Sequence, residues 1–136
     1  MNSEVFVDTS AWVGLFASRD QHHAAAVDAF EGLRDARRRL STTDYILTET
    51  VSRMRRQSGL EEAERAWDEL ESGRLAQLDP VDRELRDEAR RIFGKYRQID
   101  LSIVDCTSIA AMRRMKVAEI FTFDAGFRKA GLRSIP

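Results

Sequence analysis

Ile99–Phe127 reads IDLSIVDCTSIAAMRRMKVAEIFTFDAGF, and this stretch decides the fold we expect for the whole chain. Its pattern predicts a helix that opens at Ser102 and carries Asp105 in its first turn. A short apolar strand, Glu119–Phe123, follows this helix and ends at Asp124. Asp105 and Asp124 therefore lie at the ends of neighbouring elements. Whether other acids lie close to them in the fold depends on the rest of the chain.

Short apolar segments alternate with longer segments of helical periodicity along the whole chain. The remaining predicted strands are Glu4–Val7, Leu40–Thr43, Leu75–Leu78 and Leu132–Ile135. This alternation favours an α/β fold, in which helices cover a central parallel sheet. Asp8 and Asp124 both come directly after predicted strands. Because the carboxyl ends of parallel strands share one edge of the sheet, where ligands bind, the two acids are expected at the same edge.

Apolar residues recur at helical spacing between the predicted strands, so each helix is expected to bury one face. On this pattern Trp67 and Phe93 lie on the inner faces of their helices. His22 and His23 open a helix far in sequence from the acids. We expect these histidines to have a surface role rather than a catalytic one.

The length of 136 residues predicts a single domain over residues 1–136, without repeats, low-complexity segments or linkers. The 22 basic and 23 acidic side chains nearly balance, so nucleic-acid binding would need a local basic patch. Cys106 is the single cysteine, which excludes an internal disulfide. The sequence shows no signal peptide and no apolar run near the ~20 residues that span a bilayer. We therefore expect a soluble, cytoplasmic protein without membrane association.

Four acids stand out from the pattern: Asp8, Glu49, Asp105 and Asp124. Each has an ordinary structural explanation. Asp8 is suited to cap the helix after the first strand, and Glu49 to pair with Arg53 one helical turn later. Asp105 fits a capping box with Ser102. Asp124 is suited to cap the turn that follows its strand.

Taken together, the four acids favour a shared site. No basic residue on its own helix neutralises Asp105, which we expect to be partly buried, and a buried carboxylate without a partner is unfavourable. Carboxylates that converge at one sheet edge repel each other, and a divalent cation turns that repulsion into binding. Oxygen ligands without a Cys/His cluster select Mg²⁺ or Mn²⁺, and such a site suits phosphodiester hydrolysis. Three hydroxyl side chains are placed to orient the ligands: Thr9, Ser10 and Thr122.

Basic residues occur close in sequence to three of these acids. A rim of cations around an acidic centre would hold a polyanion over a metal ion. The candidates are Arg53, Arg55, Arg56, Arg113, Arg114, Lys116, Arg128 and Lys129.

At the acidic positions the chain resembles a PIN domain, and most closely the VapC-type toxins of bacterial toxin–antitoxin pairs. The resemblance covers essentially the whole chain, in the order and spacing of the family. Four segments carry it: Val5–Ser10, Leu47–Glu49, Leu101–Ser108 and Phe121–Phe127.

The resemblance implies a three-layer α/β/α sandwich around a mostly parallel sheet of four to five strands. It also implies an endoribonuclease that depends on Mg²⁺, for which Mn²⁺ can substitute. Asp8 and Asp105 would be the principal metal ligands, Glu49 and Asp124 would complete the catalytic acids, and Asp100 would be auxiliary. The implied partners are an RNA substrate, a second copy of the chain and a small antitoxin that blocks the site. The target RNA and the number of metal ions stay open.

Three other classes of protein share part of this pattern. A phosphatase of the haloacid dehalogenase kind also begins with an Asp after the first strand, but it needs a second Asp where this chain has Ser10. A phosphoacceptor receiver domain fits poorly with Asp79-Pro80 and with the FTFD segment. The third alternative is a non-catalytic α/β protein-interaction module whose acids are helix caps and charge pairs.

Overall fold

The structure is a computed structural model that describes residues 3–136. Within that range, five strands alternate with seven helices. The strands are β1 (Val5–Val7), β2 (Leu40–Thr43), β3 (Gln77–Asp79), β4 (Glu119–Phe121) and β5 (Arg133–Ile135). The helices are α1 (Thr9–Phe16), α2 (His23–Asp35), α3 (Asp44–Ser58), α4 (Leu60–Glu71), α5 (Arg83–Lys95), α6 (Ile103–Met115) and α7 (Ala125–Lys129).

The five strands form one parallel sheet in the order β3-β2-β1-β4-β5. The central strand is β1, in which Val5 pairs with Leu40 on one side and with Glu119 on the other. The chain first builds outward from β1 through β2 to β3, and it then crosses to β4 on the other side of β1. This reversal creates a switch point between β1 and β4, which is the crevice where open parallel sheets bind ligands.

Burial of the central strands explains their composition. All three residues of β1 are buried, and so are Ile120 and Phe121 of β4. These strands are almost continuously apolar because helices cover both faces of the parallel sheet. The helices pack in pairs, with α3 against α4 and α1, and α5 against α6. The largest fully buried side chains include Trp12, Phe6 and Phe127. The predicted α/β/α sandwich with a parallel central sheet is therefore confirmed.

The predicted strand positions are correct to within about two residues. β2 has the predicted bounds, whereas β3 begins at Gln77 rather than at Leu75. β4 ends at Phe121 rather than at Phe123. The backbone N–H of Phe123 donates to Ser10 Oγ at 2.9 Å instead of to a neighbouring strand. The backbone at Phe123 is therefore held by the Ser10 side chain and no longer belongs to the sheet.

The predicted inward positions of Trp67 and Phe93 are wrong. Trp67 is 50% exposed and Phe93 is 48% exposed. Helix α4 buries a narrow stripe that includes Leu70, and Trp67 lies outside it, with its Nε1–H donating to Glu71 Oε1 at 3.3 Å. Helix α5 buries Ile92, and the next residue, Phe93, falls on the flank.

Across residues 3–136, no helix combines the length and apolar character that crossing a bilayer requires.

Candidate active site

A cleft of about 320 Å³ is lined by the residues that directly follow β1 and β4. The four predicted acids meet there, although they come from four separate parts of the chain. Asp100, the predicted auxiliary acid, also lines the cleft. The complete lining is Asp8, Thr9, Ser10, Glu49, Arg53, Asp100, Ser102, Asp105 and Asp124.

Asp8 is the most deeply buried acid of the cleft. It is 4% exposed and lies at the N-cap of α1, directly after β1. Its Oδ2 accepts hydrogen bonds from Ser10 Oγ at 2.9 Å and from Thr122 Oγ1 at 2.8 Å. Burial raises the pKa of Asp8 above its usual value, although these hydrogen bonds favour the ionised form and oppose the shift. The fold thus keeps a carboxylate where its charge is poorly solvated.

The hydroxyl groups of Ser10 and Thr122 join the two halves of the cleft. Each has one proton, which it donates to Asp8, and each accepts one backbone N–H from the segment after β4. Ser10 Oγ accepts from Phe123 N at 2.9 Å, and Thr122 Oγ1 accepts from Asp124 N at 3.0 Å. The loop that carries Asp124 is therefore held against the loop that carries Asp8.

Asp105 lies in the first turn of α6, where the predicted capping box is present. Its Oδ2 accepts from the backbone N–H of Ser102 at 2.9 Å, and its own N–H donates to Ser102 Oγ at 3.0 Å. Burial is the main cause that raises the pKa of Asp105 to about 6, and the negative charges of Asp8 and Asp124 add to it. The repulsion among three acids shows that they share one electrostatic environment.

Asp124 is exposed, as Asp100 is, and it caps α7. Its Oδ1 accepts from the backbone N–H of Gly126 at 2.9 Å. A Cβ atom at Gly126 would lie 3.2 Å from both this oxygen and Leu101 Cδ2, so a larger residue would push these side chains back by a few tenths of an ångström. The cap occupies one oxygen of the carboxylate and leaves the other exposed to the cleft.

Glu49 and Arg53 face the cleft from α3, and both are half-buried. The ordinary explanation for Glu49 was an ion pair with Arg53. In the described range, 3–136, no ion pair joins these two side chains, and Glu49 accepts no hydrogen bond. Arg53 has a long-range electrostatic interaction with Asp20. A carboxylate and a guanidinium therefore both remain available to a ligand.

Two of the eight predicted rim cations form ion pairs elsewhere in the fold. Arg113 pairs with Glu88 at 3.2 Å, and Arg114 pairs with Asp82 at 2.9 Å. These contacts join α5 to α6 away from the cleft. Arg53 is the cation that lines the cleft. The sequence could not distinguish it from the other basic residues, because the contacts that place each cation form only in the folded chain.

The donor chemistry of the cleft fits a hard divalent cation. All candidate ligands are carboxylates, and the charges of Asp8 and Asp124 help to raise the pKa of Asp105. Thr9 Oγ1 in the same lining is buried without a hydrogen-bond partner. Within residues 3–136, however, no group of three or more Asp, Glu, His or Cys side chains already stands in a metal-holding arrangement. To hold such an ion, the exposed Asp124 and the half-buried Glu49 would have to reorient.

The chain belongs to the PIN domain family, whose model matches residues 5–132. It is similar to the 23S rRNA-specific endonuclease VapC20 of Mycobacterium tuberculosis. The two sequences are 27% identical over 127 residues, which cover 93% of this chain and 94% of the relative. The same figures hold for VapC20 of the two strains CDC 1551 / Oshkosh and H37Rv. The predicted resemblance to a VapC-type PIN domain is confirmed.

Solved structures show the same similarity in three dimensions. The crystal structure of M. tuberculosis VapC20, described as a Sarcin-Ricin loop cleaving toxin, matches with a TM-score of 0.84 and 26% identity. The match covers 94% of this chain and 95% of that chain. FitAcB from Neisseria gonorrhoeae matches with a TM-score of 0.69 over 97% of this chain and 96% of that one. At 14% identity, this second likeness concerns the fold alone.

Proposed function

We propose that this chain is a metal-dependent endoribonuclease that hydrolyses RNA phosphodiester bonds, and that it acts as the toxin of a toxin–antitoxin pair. One observation carries the proposal: four acids from distant parts of the sequence meet in one cleft at the switch point of the sheet. The similarity to a 23S rRNA-specific endonuclease over 93% of the chain supports RNA as the substrate. Ribosomal RNA, and the sarcin–ricin loop in particular, is therefore the first target to test.

The cofactor we propose is Mg²⁺, with Mn²⁺ able to substitute, because the cleft offers oxygen ligands. Asp8 and Asp105 are the principal ligands, and Glu49 and Asp124 complete the set. When bound, a divalent cation supplies a Lewis acid that acidifies water and stabilises negative charge on the phosphate. Ser10 and Thr122 orient Asp8 through hydrogen bonds, and Asp100 at the cleft edge is an auxiliary acid. The hydroxyl of Thr9, predicted to do the same, is buried without a hydrogen-bond partner in the described structure.

The side chains of the cleft divide the remaining work. The hydrogen bonds from Ser10 and Thr122 keep Asp8 fixed with one oxygen directed to its donors. Glu49, half-buried and without a hydrogen-bond donor in the described range, orients the attacking water and accepts its proton. Arg53 lines the same cleft and holds the scissile phosphate through charge-assisted hydrogen bonds. In this arrangement Arg53 contacts the phosphate and Glu49 contacts the attacking water.

The proposal also covers the domain, the cellular location, the oligomeric state and the protein partner of the nuclease. Residues 1–136 form one PIN domain, which functions in the cytoplasm, where its RNA is found. The active form is a homodimer, and a small cognate antitoxin neutralises it by covering the acidic cleft. Size-exclusion chromatography with light scattering measures the dimer, and co-purification from a strain that expresses the adjacent open reading frames identifies the antitoxin.

Inducible expression with mapping of RNA 5′ ends tests the activity. Wild-type chain should arrest growth and produce new RNA ends at discrete positions. Asp8→Ala should lower the cleavage rate at least about 100-fold, because it removes a principal ligand. Cleavage by purified protein should stop in EDTA and resume with excess Mg²⁺ or Mn²⁺. Growth arrest and RNA ends that persist unchanged in Asp8→Ala would contradict the catalytic account.

A non-catalytic interaction module is the second candidate, because three of the acids do cap helices. Asp8, Asp105 and Asp124 each accept backbone N–H groups at a helix start. Each cap uses one carboxylate oxygen, however, and capping explains neither Glu49 nor the meeting of four acids in one cleft. This alternative predicts that Asp8→Asn and Asp105→Asn retain every activity of the wild type and leave its response to Mg²⁺ unchanged.

A further inference from the structure

A stacked pair of rings lies beside the acidic cleft. The rings of His22 and Phe123 are parallel within 4°, and their centroids are 4.3 Å apart. Both side chains are half-buried. Phe123 packs on the hydrophobic core and has Phe121 at its edge, with centroids 6.1 Å apart. The core thus supports one ring of the pair from below, and the histidine ring lies on top of it.

Two separate contacts tie this pair to the cleft. The backbone N–H of Phe123 donates to Ser10 Oγ, which in turn donates to Asp8, and the residue after Phe123 is the cleft acid Asp124. The second connection runs through Asp20. Its Oδ2 accepts from the backbone N–H of His22 at 3.0 Å, and it interacts electrostatically with Arg53 of the cleft lining. The ring pair is therefore joined to the cleft by the hydrogen bond of Phe123 to Ser10, and Asp20 lies between His22 and the charge of Arg53.

Hydrogen bonds hold the backbone of His22, and the stack on Phe123 orients its ring. His22 precedes α2 as its N-cap residue, and its N–H bond to Asp20 closes the turn between α1 and α2. Gln57 Nε2 donates to the other oxygen of Asp20 at 2.8 Å, so α3 holds the same turn. A preorganised ring binds a flat partner without first losing conformational freedom.

RNA cleaved in single-stranded loops exposes unstacked bases, and proteins hold such bases on aromatic or histidine rings. Stacking tolerates any base, because every base has a π-face. We infer that the His22–Phe123 pair is a stacking platform for a nucleobase next to the scissile phosphate. His22 is then a residue that determines specificity for single-stranded or looped RNA. This inference rests on the proposed nuclease activity and adds to it the place where the substrate is recognised.

The test compares an intact RNA and a series of abasic RNAs with four proteins. The probe is a synthetic RNA that spans the cleavage site mapped for the wild type, together with a series in which each nucleotide near that site is made abasic. The proteins are wild type, His22→Ala, His22→Phe and Trp67→Ala, an exposed aromatic on α4 that serves as the matched control. The measurements are kcat and KM for each RNA, and the melting temperature of each protein.

The platform predicts one abasic position at which wild-type kcat/KM falls about 5- to 150-fold, the range of one base–aromatic stack. His22→Ala should lose a similar factor with the intact RNA and nothing further with that abasic RNA. His22→Phe, which keeps a flat ring, should restore most of the lost activity. Trp67→Ala should behave as wild type with every RNA.

Three results would overturn the inference. In the first, His22→Ala cleaves the intact RNA as fast as wild type. In the second, His22→Ala slows cleavage of intact and abasic RNA by the same factor, which indicates that the ring only closes the turn between α1 and α2. A wild type that cleaves no RNA at all removes the proposed function and the platform with it, whereas the first two results leave the nuclease proposal intact.

Discussion

Thr122 Oγ1 donates a 2.8 Å hydrogen bond to Asp8 Oδ2 in the buried base of the acidic cleft. The bond joins the end of β4 to the end of β1, and Thr122 is itself 3% exposed. A buried carboxylate that loses such a donor becomes harder to ionise. The hydroxyl therefore governs both the charge of Asp8 and the direction in which its oxygens point.

Replacing Thr122 by valine keeps the shape of the side chain and removes the hydroxyl. We expect Thr122→Val to raise the pKa of Asp8 further and to weaken apparent Mg²⁺ affinity or activity about 10- to 100-fold. Cleavage rates measured over a range of Mg²⁺ concentrations and of pH check this. Thr122→Ser should retain most of the activity, and Thr48→Val, which removes an exposed hydroxyl on α3, serves as the control. Equal losses in the serine and valine variants would show that packing, and not the hydrogen bond, matters at this position.

Divalent cations are expected to stabilise the wild-type fold. Binding at 100 times the dissociation constant adds about 2.7 kcal/mol to the free energy of unfolding, which corresponds to roughly 8 °C in melting temperature for a domain of this size. Asp105→Asn removes a ligand and should abolish this shift, whereas Asp68→Asn on the exposed side of α4 should retain it. Differential scanning fluorimetry with Mg²⁺, Mn²⁺ and EDTA gives the result. If neither ion raises the wild-type melting temperature, the shared metal site is wrong.

The stability of the metal-free protein should rise as the pH falls from 7 to 5. The pKa of Asp105 is about 6 in the fold and 3.8 in a reference chain, so the folded state takes up this proton first. The gain is about 1 kcal/mol over this interval from Asp105 alone, and the raised pKa of Asp8 acts in the same direction. Urea unfolding in EDTA at several pH values measures it.

Asp105→Asn should flatten this pH dependence, because the amide does not titrate, while Asp28→Asn on α2 should leave it unchanged. The acids with lowered pKa, Asp20, Asp82 and Glu88, oppose the trend only at more acidic pH, where reference carboxylates begin to bind protons. A wild type whose stability is constant or falls between pH 7 and 5 would contradict the burial of these acids.

Arg53 offers a test of how the substrate is held. We expect Arg53→Gln to lower kcat/KM about 10- to 100-fold, since hydrogen bonds to charged groups contribute about 1.5–3 kcal/mol. The slope of log affinity against log salt should also decrease by about 0.7, the value for one phosphate contact on a single strand. Arg55→Gln, on the exposed face of the same helix, is the matched control. Equal salt slopes for wild type and Arg53→Gln would mean that Arg53 contacts no phosphate.

The sequence was sufficient to predict the fold class and the positions of the acids along the chain. Asp8 and Asp124 were recognisable because each follows a short apolar run, and Asp105 because Ser102 stands three residues before it. These are local patterns, and the forces that produce them act over a few residues. Their meeting in one cleft was an expectation based on the parallel sheet, which the strand order now supports.

What the sequence could not supply depends on contacts between distant segments. Arg53 and Arg114 look alike in sequence, yet one lines the cleft and the other pairs with Asp82. His22 was expected to have only a surface role, because its stacking on Phe123 joins residues about a hundred positions apart. Trp67 shares the helical spacing of buried neighbours, but α4 is covered by too little of the chain to bury a side chain of that size.

The position of β4 beside β1 has a consequence for how the protein is made. Thr122 and Asp124 lie more than a hundred residues after Asp8, so a ribosome makes them well after β1. Until β4 pairs with β1, the acidic cleft lacks the side that carries Thr122 and Asp124. We therefore expect the proposed nuclease to be inactive as a nascent chain, and a product truncated before Glu119 to cleave no RNA.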